Sequence, residues 1–171
     1  PSHIITIAAL MEGGNETTWE KGQKKLMELK PQIAAFFATD AQSQDLMKTG
    51  QAPVQVMLSV NAYHLIDQGI AVKLVQPTDY PGVMGIDTMT IMTGTKKADA
   101  AYQFINMALS RDIQAELVKS LKAGPTVIGT PVPPNLAGQP GIFVSPAQWK
   151  EKAYIINDEV RAKNLPAWRE W

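Results

Sequence analysis

The chain has 171 residues, of which 45% are hydrophobic and 19% charged, and these values argue against intrinsic disorder. Sixteen basic residues balance sixteen acidic ones, so no basic excess is available to bind nucleic acid. The absence of cysteine excludes disulfides, thiolate catalysis and cysteine-based metal sites.

The N-terminal sequence is apolar but does not have the features of a targeting segment. No apolar run approaches the ~20 residues that cross a bilayer. The stretch PSHIITIAALMEGGNE lacks the basic flank of a signal peptide and is typical of the middle of a domain. We therefore expect the chain to be a fragment or a processed product that lacks an N-terminal half.

The first third of the chain predicts two helices. Thr17 and Glu20 have the spacing of a capping box, and apolar residues follow at helical spacing to about residue 36. Pro31 should kink or split this helix. A second, shorter helix begins with Asp40 as its cap and continues to Met47.

The middle of the chain alternates compact apolar runs with helical segments. Such runs, bounded by polar residues, predict buried strands, and Gly69 marks a helix end. In chain order we predict a strand over 54–58, a helix over 61–68, a strand over 70–75, a turn-rich segment over 76–82 that crosses between two lobes, and a strand over 87–92.

The last part of the chain predicts three helices and one loop. The first of these helices should turn an apolar face that includes Tyr102 toward a core. Prolines and glycines then predict an ordered surface loop, and the tryptophans are interpreted as packing residues on helices. In chain order the elements are a helix over 97–109, a helix over 110–121 capped by Ser110, a loop over 124–141, and a final helix that starts with the capping box of 145–148.

Strands that alternate with helices predict an α/β domain with a largely parallel sheet.

The sequence contains no HExxH, GxGxxG, GxxxxGK[ST] or GxSxG motif, so zinc hydrolysis, nucleotide cradling and a nucleophilic serine are unsupported. The two histidines, His3 and His64, are far apart, and His64 is interpreted as a partly exposed helix residue. We expect neither a metal nor a cofactor.

The strand predicted at 54–58 leads to a group of polar residues. Ser59 and Asn61 follow it directly, where ligands bind in open α/β sheets. Their hydroxyl and amide groups, with the free N–H groups of a helix N-terminus, suit a carboxylate or another polar ligand. Capping of the helix by the same residues is the alternative. Tyr63 either offers its ring or hydroxyl to the ligand or packs in the core.

Asp87 opens a predicted strand, where a charged residue is uncommon. Its carboxylate can pair with a cationic ligand or with a donor that closes two lobes on each other. It can equally accept backbone N–H groups in the turn over 83–86. The sequence leaves both interpretations open.

Three long segments carry a family resemblance in their order and spacing. They are LMELKPQIAAFFATDAQSQDLMKTGQAPVQVMLSVNAYHLIDQGIAVKLVQP, DTMTIMTGTKKADAAYQFINMALSRDIQAE and FVSPAQWKEKAYIINDEVRAKNLPAWREW. Together they are similar to the central, returning and C-terminal parts of extracellular solute-binding proteins, the ligand-capturing subunits of ABC importers.

This resemblance implies a type II periplasmic-binding-protein fold, with two lobes of mostly parallel sheets flanked by helices. It assigns residues 1–76 to part of the second lobe and residues 77–86 to the interlobe crossing, or hinge. Residues 87–171 would form the returning part of the first lobe and the C-terminal helices. The N-terminal section of such proteins has no counterpart in this sequence.

Within that family the polyamine, putrescine-like and iron-binding branch is the most similar. Asp87 matches the Asp that polyamine binders present to an amine. Gly85 stands where those proteins often have an aromatic residue, which leaves the solute open. The resemblance implies that Ser59, Asn61 and Tyr63 line one wall of the cleft, and that Asp87 and Gly85 lie on its hinge side.

The resemblance also implies a non-enzymatic subunit in the periplasm or outside the cell. It would capture a small polar molecule (polyamine-like, amino-acid-like or an organic ion) and deliver it to the permease of an ABC importer. A homodimer through the exposed edges of an incomplete fold is a further expectation. The alternatives are an enzyme of the transferase or decarboxylase type on the same fold, and a ligand-sensing regulator domain.

Overall fold

The computed structural model describes residues 2–170, which are rich in helix and form two compact units. Unit 1 comprises residues 2–84 and 151–170 of the described part, and unit 2 comprises residues 85–150. The elements are α1 (Ser2–Met11), a 3-10 helix (Glu16–Gly22), α2 (Gln23–Leu29), a 3-10 helix (Lys30–Gln32), α3 (Asp40–Lys48), α4 (Ser59–Asp67), β1 (Gly82–Met84), α5 (Ala98–Ala108), α6 (Arg111–Leu121), α7 (Pro146–Lys152), β2 (Ala153–Ile155) and α8 (Asp158–Arg169).

An aromatic pair lies in a core cluster of unit 1. The 3-10 helix Glu16–Gly22 and α8 both pack against α1, and this contact buries Ile5, Trp19 and Trp168. The ring centroids of the two tryptophans are 6.4 Å apart and the rings make an angle of 77°, the edge-to-face geometry that aromatic pairs prefer. Leu26 of α2 packs against the same cluster. The C-terminal helix is therefore part of the core of this unit.

Gly22 allows the 3-10 helix to approach the backbone of α1. A Cβ atom at this position would lie 2.5 Å from the amide nitrogen of Ala9 and 2.6 Å from the carbonyl carbon of Ala8. Backbone atoms cannot move aside as a flexible side chain can. The close approach of these two segments therefore requires glycine at this position.

We expect Gly22→Ala to destabilise unit 1 by about 1–3 kcal/mol, because α1 must shift to admit the methyl group. Urea denaturation followed by tryptophan fluorescence measures the change. Gly85→Ala is the matched control, since a Cβ atom there meets nothing within 4 Å, and its effect should stay within about 0.5 kcal/mol. Equal stability of the two variants would contradict the packing described above.

A short parallel pair, β1 and β2, is the sheet found in the described residues. Its register pairs Gly82 with Ala153, Val83 with Tyr154 and Met84 with Ile155. The predicted parallel sheet is thus present in part, with three residues in each strand. The prediction of a single final helix was wrong, because β2 interrupts it between α7 and α8. The sequence Ala-Tyr-Ile of β2 includes two residues that favour strands.

The predicted strands over 54–58, 70–75 and 87–92 were wrong, because these residues form neither strand nor helix. Several of their apolar side chains face solvent, with Val54 90%, Val75 68% and Met92 77% exposed. A strand forms only where a neighbouring strand satisfies its backbone N–H and C=O groups. The described residues supply no such neighbour to these three segments.

The accessible surface area of the chain agrees with the exposure of these three segments. The chain exposes 11768 Å², whereas a compact monomer of 18.7 kDa exposes about 8,300 Å². Two separate compact bodies of the sizes of the two units would together expose about 9,900 Å². The accessible surface area exceeds both reference values. The excess over the second value does not depend on how the two units are arranged, and it is consistent with the exposure of the three apolar segments.

The segment after α1 is capped two residues earlier than predicted. Asn15 Oδ1 accepts the N–H groups of Thr17 at 2.9 Å and Thr18 at 3.2 Å, and the Thr18 hydroxyl accepts the Asn15 N–H at 3.1 Å. The predicted capping box of Thr17 and Glu20 was wrong, because Asn is a stronger N-cap than Thr. The helical run ends at Gln32, in the short 3-10 helix that contains Pro31, so the prediction that it continues to about residue 36 was wrong.

Four predicted helices are confirmed to within two residues, namely α3, α4, α5 and α6. Ser110 caps α6 as predicted, with its Oγ accepting the N–H of Ile113 at 3.4 Å. The cap of α3 is Thr39 rather than Asp40, because the Thr39 hydroxyl accepts the N–H of Gln42 at 3.2 Å. Side-chain caps thus set the starts of α3 and α6, and Gly50 and Gly69 follow the ends of α3 and α4.

Unit 2 is organised around Gln114 on α6, which is 6% exposed. Its Nε2 donates to the carbonyl of Ala108 at 2.9 Å, and its Oε1 accepts the N–H of Thr126 at 3.0 Å. These bonds connect α5, α6 and the loop over 124–141, where the absence of helix and strand confirms the prediction. Tyr102 is 61% exposed, so the prediction that it packs inward was wrong.

Candidate functional site

α3 holds the start of α4 in place through two neighbouring side chains. Ser43 is completely buried and donates its hydroxyl to Gln55 Oε1 at 3.0 Å. Gln55 Nε2 in turn donates to the carbonyl of Ala52 at 3.0 Å. One residue further along α3, Gln44 Nε2 donates to Asn61 Oδ1 at 3.4 Å. The chain before α4 and the first turn of α4 are therefore both anchored within unit 1.

The N-terminus of α4 has no side-chain cap. Leu58 occupies the N-cap position, and its carbonyl accepts the N–H groups of Asn61 at 3.0 Å and Ala62 at 3.3 Å. The amides of Ser59 and Val60 have no acceptor within residues 2–170. Capping by Ser59 or Asn61, the alternative left open by the sequence, is therefore not what the structure shows. Free amides at the positive end of a helix attract acceptors and anions.

Asn61 adds a buried donor to this helix end. The residue is 8% exposed, and its Nδ2 has no hydrogen-bond partner in the described part of the chain. A buried donor without a partner costs roughly 1–3 kcal/mol. Thr6 Oγ1 and Trp168 Nε1 are in the same state, but of the three only Asn61 lies in the first turn of its helix. An acceptor from outside the chain would relieve this cost.

Tyr63 and His64 lie in the next turn of α4 and differ in burial. Tyr63 is 8% exposed, and burial raises the pKa of its hydroxyl. This burial favours the core-packing interpretation of Tyr63. His64 is exposed as predicted, with its Nε2 2.6 Å from the Nε2 of Gln68 near the end of the helix. Ligand contact by Tyr63 stays a prediction.

Asp87 and Gly85 belong to unit 2, in the irregular run that follows β1. Both are exposed. The structure thus brings Ser59 and Asn61 together at one helix end of unit 1 and leaves Asp87 and Gly85 exposed in the other unit. That all five predicted residues share one cleft stays a prediction.

A comparison with protein families decides the broad class of the chain. The sequence profile of a family described as bacterial extracellular solute-binding protein matches residues 4–143. The chain belongs to this family. No curated protein and no solved structure gives a significant match to this solute-binding protein.

Membership of the family confirms the coarser predictions made from the sequence. A small-molecule ligand and a transport partner are general to solute-binding proteins, and proteins of this kind are generally not enzymes. The description of the family as extracellular supports a location outside the cytoplasm. The helix-rich structure with its small parallel sheet is compatible with part of a solute-binding fold.

Gln44 is a further residue of this site, and the sequence alone does not reveal it. It lies on α3, 17 residues before Asn61, and no local pattern connects the two positions. Hydrogen-bond donors dominate the site, because the amides of Ser59 and Val60 and the Nδ2 of Asn61 are all free to donate. The first turn of α4 contains no acidic residue. The site therefore presents donors to a ligand and no carboxylate.

Two further observations describe this solute-binding protein over residues 2–170. No helix in that range combines the length and the apolar character that a membrane span requires. No three His, Cys, Asp or Glu side chains in the same range gather into a group that would hold a metal ion.

Proposed function

We propose that this protein is the solute-binding component of an ABC importer that captures a small polar molecule and delivers it to a membrane permease. The family match over residues 4–143 is the observation that carries this proposal. The capture step would be hinge closure of a type II two-lobed fold, in which no covalent bond is made or broken. The residues 77–86 would contain the hinge.

The hydrogen-bonding groups in the first turn of α4 also support the proposal. Ser59 and Asn61 lie at a helix N-terminus whose amides have no partner in the described chain, and Gln44 anchors that helix end. We propose that Ser59, Asn61 and Tyr63 line one wall of the ligand cleft and that Asp87 and Gly85 lie on its hinge side. The similarity of Asp87 to the amine-binding Asp of polyamine binders keeps polyamines among the candidate solutes.

Self-association is part of the same proposal. The segments over 54–58 and 70–75 of unit 1 are irregular and expose apolar side chains. Exposed apolar segments without strand partners promote pairing between chains. A second copy of the chain would cover part of this surface.

A thermal-shift screen of polyamines, amino acids and organic acids tests the proposed function. A ligand at 100 times its Kd stabilises the folded state by about 2.7 kcal/mol, so the melting temperature should rise by several degrees with at least one solute. Sodium chloride at matched ionic strength is the control for nonspecific ion effects. If no solute at millimolar concentration raised the melting temperature above this control, the proposed function would be overturned.

A further inference from the structure

The first turn of α4 presents a set of donors without matching acceptors. The amides of Ser59 and Val60 have no acceptor in the described chain, and the N-cap residue Leu58 has no side-chain oxygen to supply one. Most helix N-termini satisfy such amides with a Ser, Thr, Asp or Asn cap. Here the described chain supplies no acceptor to these amides, and an acceptor of a ligand would pair with them.

Asn61 is a second and independent indication of a ligand at the same helix end. Its Oδ1 is already paired with Gln44 Nε2 at 3.4 Å, which leaves Nδ2 as the unpaired atom of the amide. The side chain is 8% exposed, so solvent does not satisfy this donor. Buried polar atoms in folded proteins almost always have a partner. A ligand acceptor would supply the missing partner of Nδ2.

The electrostatics of this helix end favour a negatively charged acceptor over a neutral one. The N-terminus of an α-helix carries a partial positive charge, which stabilises anions within the first turn. The first turn of α4 contains no acidic residue that would neutralise this charge or pair with an ammonium group. The first turn itself therefore offers no counter-charge to a solute with only cationic groups, such as a polyamine.

We propose that the first turn of α4 binds an oxyanion group of the solute, a carboxylate or a phosphate. The amides of Ser59 and Val60, the Ser59 hydroxyl and Asn61 Nδ2 donate to its oxygens. This inference rests on the proposed solute-binding function and narrows the solute to a molecule that carries such a group.

Isothermal titration calorimetry of the 171-residue chain with four probes tests the inference. The probes are succinate, inorganic phosphate, putrescine and sorbitol, at constant ionic strength. We expect succinate or phosphate to bind, and the stronger of the two identifies whether the group is a carboxylate or a phosphate. If putrescine or sorbitol binds and neither succinate nor phosphate binds, the oxyanion inference is overturned while the proposed function stands. If none of the four binds and the thermal-shift screen is also negative, both are overturned.

Asn61→Asp separates a ligand contact from a structural role, because it replaces the free donor by a carboxylate of nearly the same shape. We expect anion affinity to fall at least tenfold. Asn106→Asp makes the same chemical change at an exposed position of α5 in unit 2, and its affinity should equal that of the unchanged chain. Equal affinity in the two variants would overturn the inference.

A second variant keeps the test decisive if Asn61→Asp does not fold. Ser59→Ala removes one hydroxyl from a half-buried position without adding charge. We expect anion affinity to fall about threefold or more with the circular dichroism spectrum unchanged. Unaltered affinity in a folded Ser59→Ala protein, with Asn61→Asp unfolded, would count against the assignment.

Discussion

Replacing Trp168 by alanine should lower the free energy of unfolding of unit 1 by about 3–5 kcal/mol, the usual cost of removing a buried aromatic side chain. Trp168 is 1% exposed and makes an edge-to-face contact with Trp19 in the core formed with Ile5. Its removal leaves a cavity between α8 and the 3-10 helix Glu16–Gly22. Urea denaturation followed by far-ultraviolet circular dichroism measures the change without relying on the deleted fluorophore.

Two other variants serve as controls for the Trp168→Ala measurement. Phe36→Ala also deletes an aromatic ring, but Phe36 is 80% exposed, so the change should stay within about 0.5 kcal/mol. Trp168→Phe keeps most of the buried ring and removes the unpaired Nε1 donor, so it should cost less than the alanine variant. A loss below about 1 kcal/mol for Trp168→Ala would show that α8 is not part of the core.

The sequence predicted the helices of this protein better than its strands, and the reason is physical. α5 and α6 carry their own signals within a few residues, such as the Ser110 cap and the apolar positions at helical spacing. The segments over 54–58, 70–75 and 87–92 have the composition of buried strands. A strand, however, depends on a partner that is distant in sequence, and these segments find none among the described residues.

The candidate site was predictable in part for the same reason. Ser59 and Asn61 could be identified because they directly precede or open a helix, which is a local feature. The unpaired state of Asn61 Nδ2 and the contact with Gln44 depend on how α3 packs on α4, so no pattern in the sequence reveals them.

A buried carboxylate connects the two sequence segments of unit 1. Glu16 is 5% exposed, its Oε1 accepts the N–H of Asn157 at 2.8 Å, and its Oε2 accepts the hydroxyl of Tyr154. Its backbone carbonyl accepts the side-chain amide of Asn164 at 3.0 Å. These bonds attach the 3-10 helix Glu16–Gly22 to β2 and α8. No local pattern in the sequence singles out Glu16, because its partners lie about 140 residues away.

Replacing Glu16 by alanine should destabilise unit 1 by about 3–5 kcal/mol, because hydrogen bonds to a charged group contribute about 1.5–3 kcal/mol each and two donors lose their acceptor. Urea denaturation followed by tryptophan fluorescence measures the loss, since Trp19 and Trp168 lie in the core of this unit. Glu20→Ala removes an exposed carboxylate from the same 3-10 helix and is the matched control, with an expected change within about 0.5 kcal/mol.

The same carboxylate predicts how stability depends on pH. Burial alone would raise the pKa of Glu16, but the hydrogen bonds from Tyr154 and Asn157 outweigh it and hold the pKa below its ordinary value of 4.5. A carboxyl group whose pKa is lower in the folded state stabilises that state above its unfolded pKa, and this contribution disappears as the pH falls through the folded pKa. The stability advantage of the unchanged chain over Glu16→Gln should therefore be full at pH 7 and shrink below about pH 4.5. An advantage that stayed constant from pH 7 to pH 3 would show that the charge of Glu16 does not stabilise this contact.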